Sequence, residues 1–151
     1  MKLNLQTDYA LRVLIYVGTS NQKLSTIQDI AEAFAVSNAH LMKVVHRLGK
    51  EGYLDTVRGR NGGMRLNRRP EAIGVGDVVR SIEEDLAVMG CLNEQRFCQI
   101  QGPCVLRRAL REATAGFLSV LDKYTLADLL TPKNALARLL SIEESGAARS
   151  M

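Results

Sequence analysis

The sequence has no run of apolar residues long enough to cross a lipid bilayer, and its first residues, MKLNLQTD, contain no apolar signal core. We therefore expect a cytoplasmic protein that has no membrane partner. Thiols stay reduced in that compartment, so a structural disulfide is not expected. The 46% hydrophobic and 24% charged residues are typical of globular proteins, and 151 residues suffice for one domain or for a small domain with an appendage.

Histidine is scarce. The only two, His40 and His46, lie far in sequence from the cysteines, and no acid–base pair accompanies a thiol. An enzyme that uses a thiolate nucleophile is therefore not expected. The C-x-x-C spacing of zinc fingers and thioredoxins is missing, and three cysteines are an odd number for a disulfide framework.

All three cysteines stand in one short segment, CLNEQRFCQIQGPC. Six residues separate Cys91 from Cys98, and five separate Cys98 from Cys104. None falls on a regular apolar stripe, so we expect a loop between two helices. Three thiolates offer soft ligands for a metal centre, yet three ligands form an incomplete set. The spacing alone leaves open a metal or cluster site, a redox-active thiol pair, and no function at all.

Two helices are predicted near the N-terminus. The segment TDYALRVLIYVGTS is apolar enough for a mostly buried first helix, with Thr7 or Asp8 as its N-cap and Gly18 as its stop. The segment STIQDIAEAF predicts a short second helix, in which Ser25 and Gln28 form a capping box.

A third predicted helix, SNAHLMKVVHRLGKEG, begins at Ser37 and ends at Gly52. Its apolar face is formed by Leu41, Val44, Val45 and Leu48. Two short amphipathic helices joined by a tight turn, the second with polar and basic residues on its outer face, are typical of a helix-turn-helix. The residues of this helix that we expect to contact bases or phosphates are Ser37, Asn38, His40, Lys43 and Arg47.

A β-hairpin is predicted directly after these helices. Residues 53–58 alternate as a strand, residues 59–63 form a glycine-rich turn, and residues 64–66 return as a second strand. A hairpin in this place is typical of a wing, and arginines at its tip suit insertion beside a DNA duplex. Between Lys43 and Arg69 there are eight Lys or Arg and two acidic residues, which favours a polyanionic partner. The wing residues expected to contact DNA are Arg58, Arg60, Asn61, Gly62 and Arg65.

The remaining chain predicts further helices, so the fold class is mainly α with a small β-hairpin wing. One helix ends near Glu84. A long helix follows the cysteines and is broken by Pro132, and its apolar stripe favours packing against a second copy of the chain. A last short helix, ALARLLSIEE, precedes a tail that we expect to be disordered. The predicted parts are a winged helix-turn-helix domain at 1–84, a cysteine loop at 85–104, dimerisation and C-terminal helices at 105–142, and the tail at 143–151.

Several segments resemble one known family, the iron–sulfur winged-helix transcription repressors that include IscR, RirA and NsrR. They are TDYALRVLIY, VSNAHLMKVVHRL, TVRGRNGGMRL, IGVGDVVRSIE, the three cysteines and LDKYTLADL, which together cover residues 1 to about 130. The last of these segments is most similar to the nitric-oxide-sensing branch, NsrR.

The resemblance implies a homodimeric repressor that binds double-stranded operator DNA and holds an iron–sulfur cluster, either [4Fe-4S] or [2Fe-2S], on Cys91, Cys98 and Cys104. The histidine that IscR-like members carry three residues after the last cysteine is Arg107 here. Asp8 matches the acidic fourth ligand of NsrR-like members, and a role as helix cap is the alternative for it. Nitric oxide is the signal that this branch implies. Regulation by iron or cluster status and a cluster-free cysteine redox regulator are the alternatives.

Overall fold

The chain folds into helices and one two-stranded hairpin, which confirms the predicted fold class. The computed structural model describes residues 2–20, 23–93 and 96–142, so the predicted disorder of the tail at 143–151 concerns residues outside the described ones. No helix in the described ranges is long and apolar enough to cross a membrane. The elements are α1 (Leu5–Thr19), α2 (Ile27–Phe34), α3 (Asn38–Lys50), β1 (Leu54–Val57), β2 (Gly63–Leu66), α4 (Val75–Ile82), α5 (Val105–Leu121), α6 (Leu126–Leu129) and α7 (Lys133–Leu139), with single 3-10 turns at Pro70–Ala72 and Gly90–Leu92.

Helix α1 begins before the predicted caps, so the prediction of Thr7 or Asp8 as N-cap was wrong. Asn4 is the cap, and its Oδ1 accepts a hydrogen bond from the Thr7 backbone N–H at 2.8 Å. The Thr7 hydroxyl is buried and donates to the carboxylate of Glu83 at 2.8 Å. Gly18 does not end the helix either. It allows close packing, because a Cβ there would come within 2.6 Å of Leu130 Cδ1.

The capping box of α2 is shifted by one residue from the predicted pair, Ser25 and Gln28. The Asp29 N–H donates to the Thr26 hydroxyl at 3.1 Å, and the Thr26 N–H donates to the Asp29 carboxylate at 3.0 Å. Ser25 is buried beneath the wing instead. Its backbone exchanges hydrogen bonds of 3.0 and 2.8 Å with Met64, so this residue extends the hairpin by one bridge.

The third helix and the hairpin follow the predictions. Ser37 caps α3, and Gly52 takes a positive φ of 82° just after the helix ends. Strands β1 and β2 are antiparallel, with Asp55 opposite Arg65 and Thr56 opposite Met64. The buried face of α3 carries the predicted apolar residues Leu41, Val44, Val45 and Leu48.

The long helix does not continue to Pro132. Helix α5 ends at Leu121, and Thr125 caps a separate helix α6 through Asp128. The chain turns here because its backbone pairs with the start of α4: the Val75 N–H donates to the Tyr124 carbonyl at 3.0 Å. The last helix ends at Leu139, earlier than predicted.

Helices α6 and α7 pack against α1 and contribute Leu126, Leu130 and Ala137 to the buried residues. Helix α5 differs from them, because none of its residues is fully buried. The C-terminal helices therefore share the core of the N-terminal part, while α5 lies against α4 and the 3-10 turn at Gly90–Leu92.

Candidate DNA-binding surface and cysteine loop

The start of α3 is held by short polar contacts. The Ser37 hydroxyl caps the His40 N–H at 3.3 Å and lies 2.9 Å from the His40 Nδ1. The His40 ring lies 6.2 Å from the ring of Tyr9 on α1. The Asn38 side chain donates to Gln28 of α2 at 3.1 Å, which joins the two helices of the helix-turn-helix. All three predicted residues are exposed, yet each also has a partner within the protein.

Arg47 is the most strongly held of the predicted residues on α3. Its Nε donates to Glu51 at 3.0 Å, and its Nη2 donates to the backbone carbonyl of Ser81 at 2.6 Å. The second contact ties α3 to the C-terminal turn of α4. Arg47 therefore fixes the orientation of α3 in addition to any contact with phosphate.

The outward face of α3 carries the predicted residue Lys43 and three residues that the sequence patterns did not identify. Leu41, Val44 and Leu48 are buried, so the opposite face is the one that points to solvent. Spacings of three and four residues place four exposed side chains there, and the helical periodicity of the buried face was the signal that could have identified them. They are Ala39, Met42, Lys43 and His46.

The tip of the wing is shaped by two glycines. Gly59 takes a φ of 112°, and the Gly62 N–H donates to the Gly59 carbonyl at 3.0 Å. A Cβ on Gly62 would overlap the carbonyl of Val57. Gly62 thus sets the shape of the turn, and it presents the exposed side chains of the predicted tip residues, Arg58, Arg60 and Asn61.

The cations of the wing are not equivalent. Arg65 pairs with Asp55 on the opposite strand, with an Nη2–Oδ2 distance of 2.9 Å. Arg58, Arg60 and Lys43 of α3 form no hydrogen bond or ion pair with any residue in the described ranges. These three side chains are therefore the predicted DNA-contacting cations whose charge is not neutralised within the described chain.

The three cysteines lie on the loop between α4 and α5, as predicted, and all are half-buried free thiols. Cys91 belongs to the 3-10 turn Gly90–Leu92, and Cys104 is the N-cap of α5, where its Sγ accepts the Arg107 N–H at 3.4 Å. The Arg107 side chain reaches back across the loop, and its Nε donates to the Cys91 carbonyl at 3.3 Å. A single residue thus connects the two outer cysteines of the segment.

The described side chains are not assembled into a metal site. Within residues 2–20, 23–93 and 96–142, no three His, Cys, Asp or Glu side chains are grouped closely enough to hold a metal ion. Asp8, the other predicted ligand, forms an i,i+4 ion pair with Arg12 at 2.9 Å, and both side chains are 44% exposed. Asp8 is therefore neither the cap of α1 nor in contact with a cysteine thiol in the described chain.

The start of the cysteine loop is joined to the N-terminal segment. Glu83, at the C-cap of α4, accepts the Asn4 N–H at 2.6 Å and the Thr7 hydroxyl at 2.8 Å. Beside this contact lies a cavity of about 320 Å³, lined by the N-terminal segment, the start of the loop and α5. The first turn of α1, which carries Asp8, is thereby fixed next to the point where the loop leaves α4.

Comparison with known proteins identifies relatives along nearly the whole chain. The model of the Rrf2 family, described as an iron-dependent transcriptional regulator, matches residues 3–132. The HTH-type transcriptional regulator NsrR of Bacillus licheniformis is 46% identical over 143 residues, which cover 93% of this chain and 100% of that protein. NsrR of Geobacillus kaustophilus is 50% identical over 145 residues, which cover 93% of this chain and 97% of that protein.

Among solved structures, CymR, the global cysteine regulator of Bacillus subtilis, superimposes with a TM-score of 0.73 at 24% identity and covers 87% of this chain and 98% of its own. That likeness confirms the fold. The NsrR relatives are transcriptional regulators, which also confirms the expectation that the chain is not an enzyme. The chain belongs to the Rrf2 family of transcriptional regulators, and it is a DNA-binding winged-helix protein of that family.

Proposed function

We propose that this protein is a homodimeric transcription repressor whose affinity for a double-stranded operator is controlled by an iron–sulfur cluster that senses nitric oxide. The similarity to NsrR regulators over almost the full length of both chains is the observation that carries the proposal. The exposed basic residues of α3 and the wing and the cysteine loop beside α1 add support from the structure.

The DNA-binding part rests on where the unpaired cations lie. Lys43 projects from the outward face of α3, and Arg58 and Arg60 project from the wing. Neutralising phosphates with such residues releases counterions, which supplies most of the sequence-independent affinity for DNA. Arg65 and Arg47 already have carboxylate partners, so we assign them mainly to positioning.

The donor set fits an iron centre. Three soft ligands are supplied by Cys91, Cys98 and Cys104, none of which is in a disulfide. Because these thiols are only half-buried, iron can reach them from solvent. The guanidinium of Arg107 lies in the same loop region, where a positive charge balances the negative charge of thiolate ligands. Because the described thiols are not yet gathered, loading requires the loop to close, as is usual for sites that form with their metal.

Asp8 is our proposed fourth ligand. Its carboxylate is exposed and bound only to Arg12 among the described residues, so it can exchange that partner for iron at a modest cost. A bound cluster supplies iron that reacts with nitric oxide. A carboxylate is harder and more easily displaced than a thiolate, which makes the Asp8 position the natural point of entry.

The dimer is proposed from the surface of α5. This helix of 17 residues has no fully buried residue, and it exposes Val105, Leu106 and Val120 by 63%, 57% and 51%. Apolar residues in such numbers on one long helix favour burial against a second copy. If Asp8 binds iron on the loop of the partner subunit, loss of that bond also changes how the two protomers are arranged.

A continuous set of contacts leads from the loop to α3. Glu83 joins the end of α4 to Asn4 and Thr7 at the start of α1, and the Ser81 carbonyl, two residues before Glu83, accepts the hydrogen bond from Arg47 on α3. A shift of the first turn of α1 or of the loop therefore moves the last turn of α4, and this turn is the one that orients α3. We propose this turn as the link between cluster state and DNA affinity.

Anaerobic titration of the purified protein with nitric oxide, with the cluster absorbance and DNA binding followed together, tests the proposal. We expect the absorbance and the DNA affinity to fall at the same ratio of nitric oxide to protein. A Cys98→Ala variant, which lacks one ligand, should show no response of DNA binding to nitric oxide.

Other outcomes would identify the alternatives. A colourless protein without iron, whose DNA binding responds to oxidants, would replace the proposal with a cluster-free thiol regulator. A cluster-containing protein that ignores nitric oxide but releases DNA on iron depletion would make it a regulator of iron or cluster status.

A further inference from the structure

Met42 is unusual among the apolar residues of α3. Leu41 and Leu48 are 1% and 0% exposed, whereas Met42 is 60% exposed. It lies on the outward face with Ala39, three residues earlier, and the two side chains are neighbours on a helix surface. A small apolar patch therefore occupies the centre of the face that a recognition helix presents to DNA.

Three polar side chains near this patch are already engaged. Asn38 donates to Gln28, the His40 ring contacts Ser37, and Arg47 donates to Glu51 and Ser81. Reading a base edge with the atoms that make these contacts would require each of the three residues to give up a partner. Ala39 and Met42 require no such exchange, because the contacts that they can offer are apolar.

We propose that Met42, with Ala39 beside it, recognises the 5-methyl groups of thymines in the major groove. The thymine methyl is the one apolar group that the major-groove edges of the four base pairs display. Lys43, adjacent to Met42 and without a partner in the described chain, supplies a phosphate or guanine contact that holds the patch against the groove. This inference rests on the proposed DNA-binding role of α3 and adds the base chemistry that its outward face selects.

The charge of the surroundings favours DNA over a protein partner for this patch. The patch is followed along the chain by Lys43, His46 and Lys50 on α3 and by Arg58 and Arg60 on the wing, all of them exposed. A second copy of the same chain would bring like charges together at this face, which is unfavourable. A polyanion that displays methyl groups matches both the charge and the apolar centre.

The test begins with selection of bound duplexes from a randomised library, using the full-length protein purified anaerobically. In the selected duplex, each thymine of one half-site is then replaced in turn by deoxyuridine, which removes only the methyl group. We expect one or two replacements to weaken binding about four-fold, because burying a group of this size contributes about 0.8 kcal/mol.

Variants connect that loss to the residue. Met42→Ala should weaken binding to the thymine duplex by a similar factor and show no further loss with deoxyuridine at the same position. Met42→Leu should retain the discrimination, since a leucine side chain keeps the apolar contact. Leu139→Ala, which removes an apolar side chain that is 81% exposed on α7, serves as the matched control and should behave like the parent protein.

Two results would overturn the inference while leaving the proposed function intact. One is a selected, tightly bound duplex that tolerates deoxyuridine at every thymine. The other is full sensitivity to deoxyuridine in Met42→Ala, which would assign the methyl contact to another residue. Failure of the library to yield any enriched duplex would instead overturn the proposed DNA-binding function itself.

Discussion

The guanidinium of Arg80 donates two hydrogen bonds to the carboxylate of Asp122, with N–O distances of 2.6 and 2.8 Å. This pair joins α4 to the end of α5, far apart in sequence. Gly76 makes it possible, because a Cβ there would overlap the Asp122 carboxylate. The hydrogen bonds from Arg80 hold the pKa of Asp122 below its usual range.

Asp122→Asn should lower the melting temperature at neutral pH and have less effect in acid. Since the folded state depresses the pKa of Asp122, the stabilisation is present above the ordinary carboxyl pKa and is lost as the pH falls through the lower, folded value. The effect should be small because the pair is exposed. Melting curves of parent and variant between about pH 7 and pH 3 measure it.

Glu112→Gln on α5 is the matched control for that series, because Glu112 is exposed and has no ion-pair partner in the described chain. Its melting temperature should follow that of the parent at every pH. An Asp122→Asn curve that runs parallel to the parent curve throughout would show that Arg80 and Asp122 do not interact in solution.

Arg107→Ala should loosen the cysteine loop. The side chain donates to the Cys91 carbonyl, and loss of one such hydrogen bond costs about 1 kcal/mol. That change raises the population of the open loop, and with it the rate of amide exchange, about five-fold. Hydrogen exchange of the amides at Gly90–Leu92 in the metal-free protein measures this directly. Arg108→Ala removes a neighbouring, exposed guanidinium and should leave the exchange unchanged. Equal exchange in both variants would contradict the role of Arg107.

Local patterns located the start of α3, where the partner of the capping residue is near in sequence. Ser37 was predicted as the start of α3, and it caps that helix through the His40 N–H, three residues away. Asn4 was missed as the cap of α1 because the helix was predicted from Thr7 onward, whereas Thr7 is already inside the helix and its hydroxyl donates to Glu83 at the end of α4. The contact of Arg47 with Ser81 could not be anticipated either, because the two residues are far apart in sequence and no local pattern brings them together.

The cysteines should act as a set. Changing any one of Cys91, Cys98 or Cys104 to Ala should abolish stable retention of iron, because two thiolates on this loop cannot complete the coordination sphere. The fold should survive, since all three are only half-buried and lie outside the core. Iron content and circular dichroism of each variant test both expectations. A variant that keeps a full, stable iron content would remove that cysteine from the ligand set.

Arg60→Ala should weaken DNA binding and lower its salt dependence. The side chain is exposed at the tip of the wing and has no partner in the described chain, so loss of its phosphate contact should reduce the salt slope by about one per engaged wing. Affinity measured over a series of salt concentrations gives the slope. Arg138→Ala on α7 removes an equal charge from an exposed site and should leave the slope unchanged. A parental slope in Arg60→Ala would place the wing away from the phosphates.

Asp8→Ala separates two roles for that residue. As a surface ion pair with Arg12, Asp8 contributes about 0.3–0.5 kcal/mol, and its loss should leave the spectrum of the iron-loaded protein unchanged. As a ligand, its loss should leave a cluster held by three thiolates, with an altered spectrum and altered reactivity toward nitric oxide. Because Asn4 rather than Asp8 caps α1, the second role is not confounded with loss of the cap.

Asn4→Ala is the control that makes this distinction sharp. Removal of the cap should cost about 1 kcal/mol of stability, more than the loss of the ion pair, while the spectrum stays that of the parent. The two variants are therefore expected to change different measurements. Asn4→Ala should change the melting temperature, and Asp8→Ala should change the absorbance and the rate of reaction with nitric oxide. A parental spectrum and rate in Asp8→Ala would exclude Asp8 as a ligand and leave it as the partner of Arg12 alone.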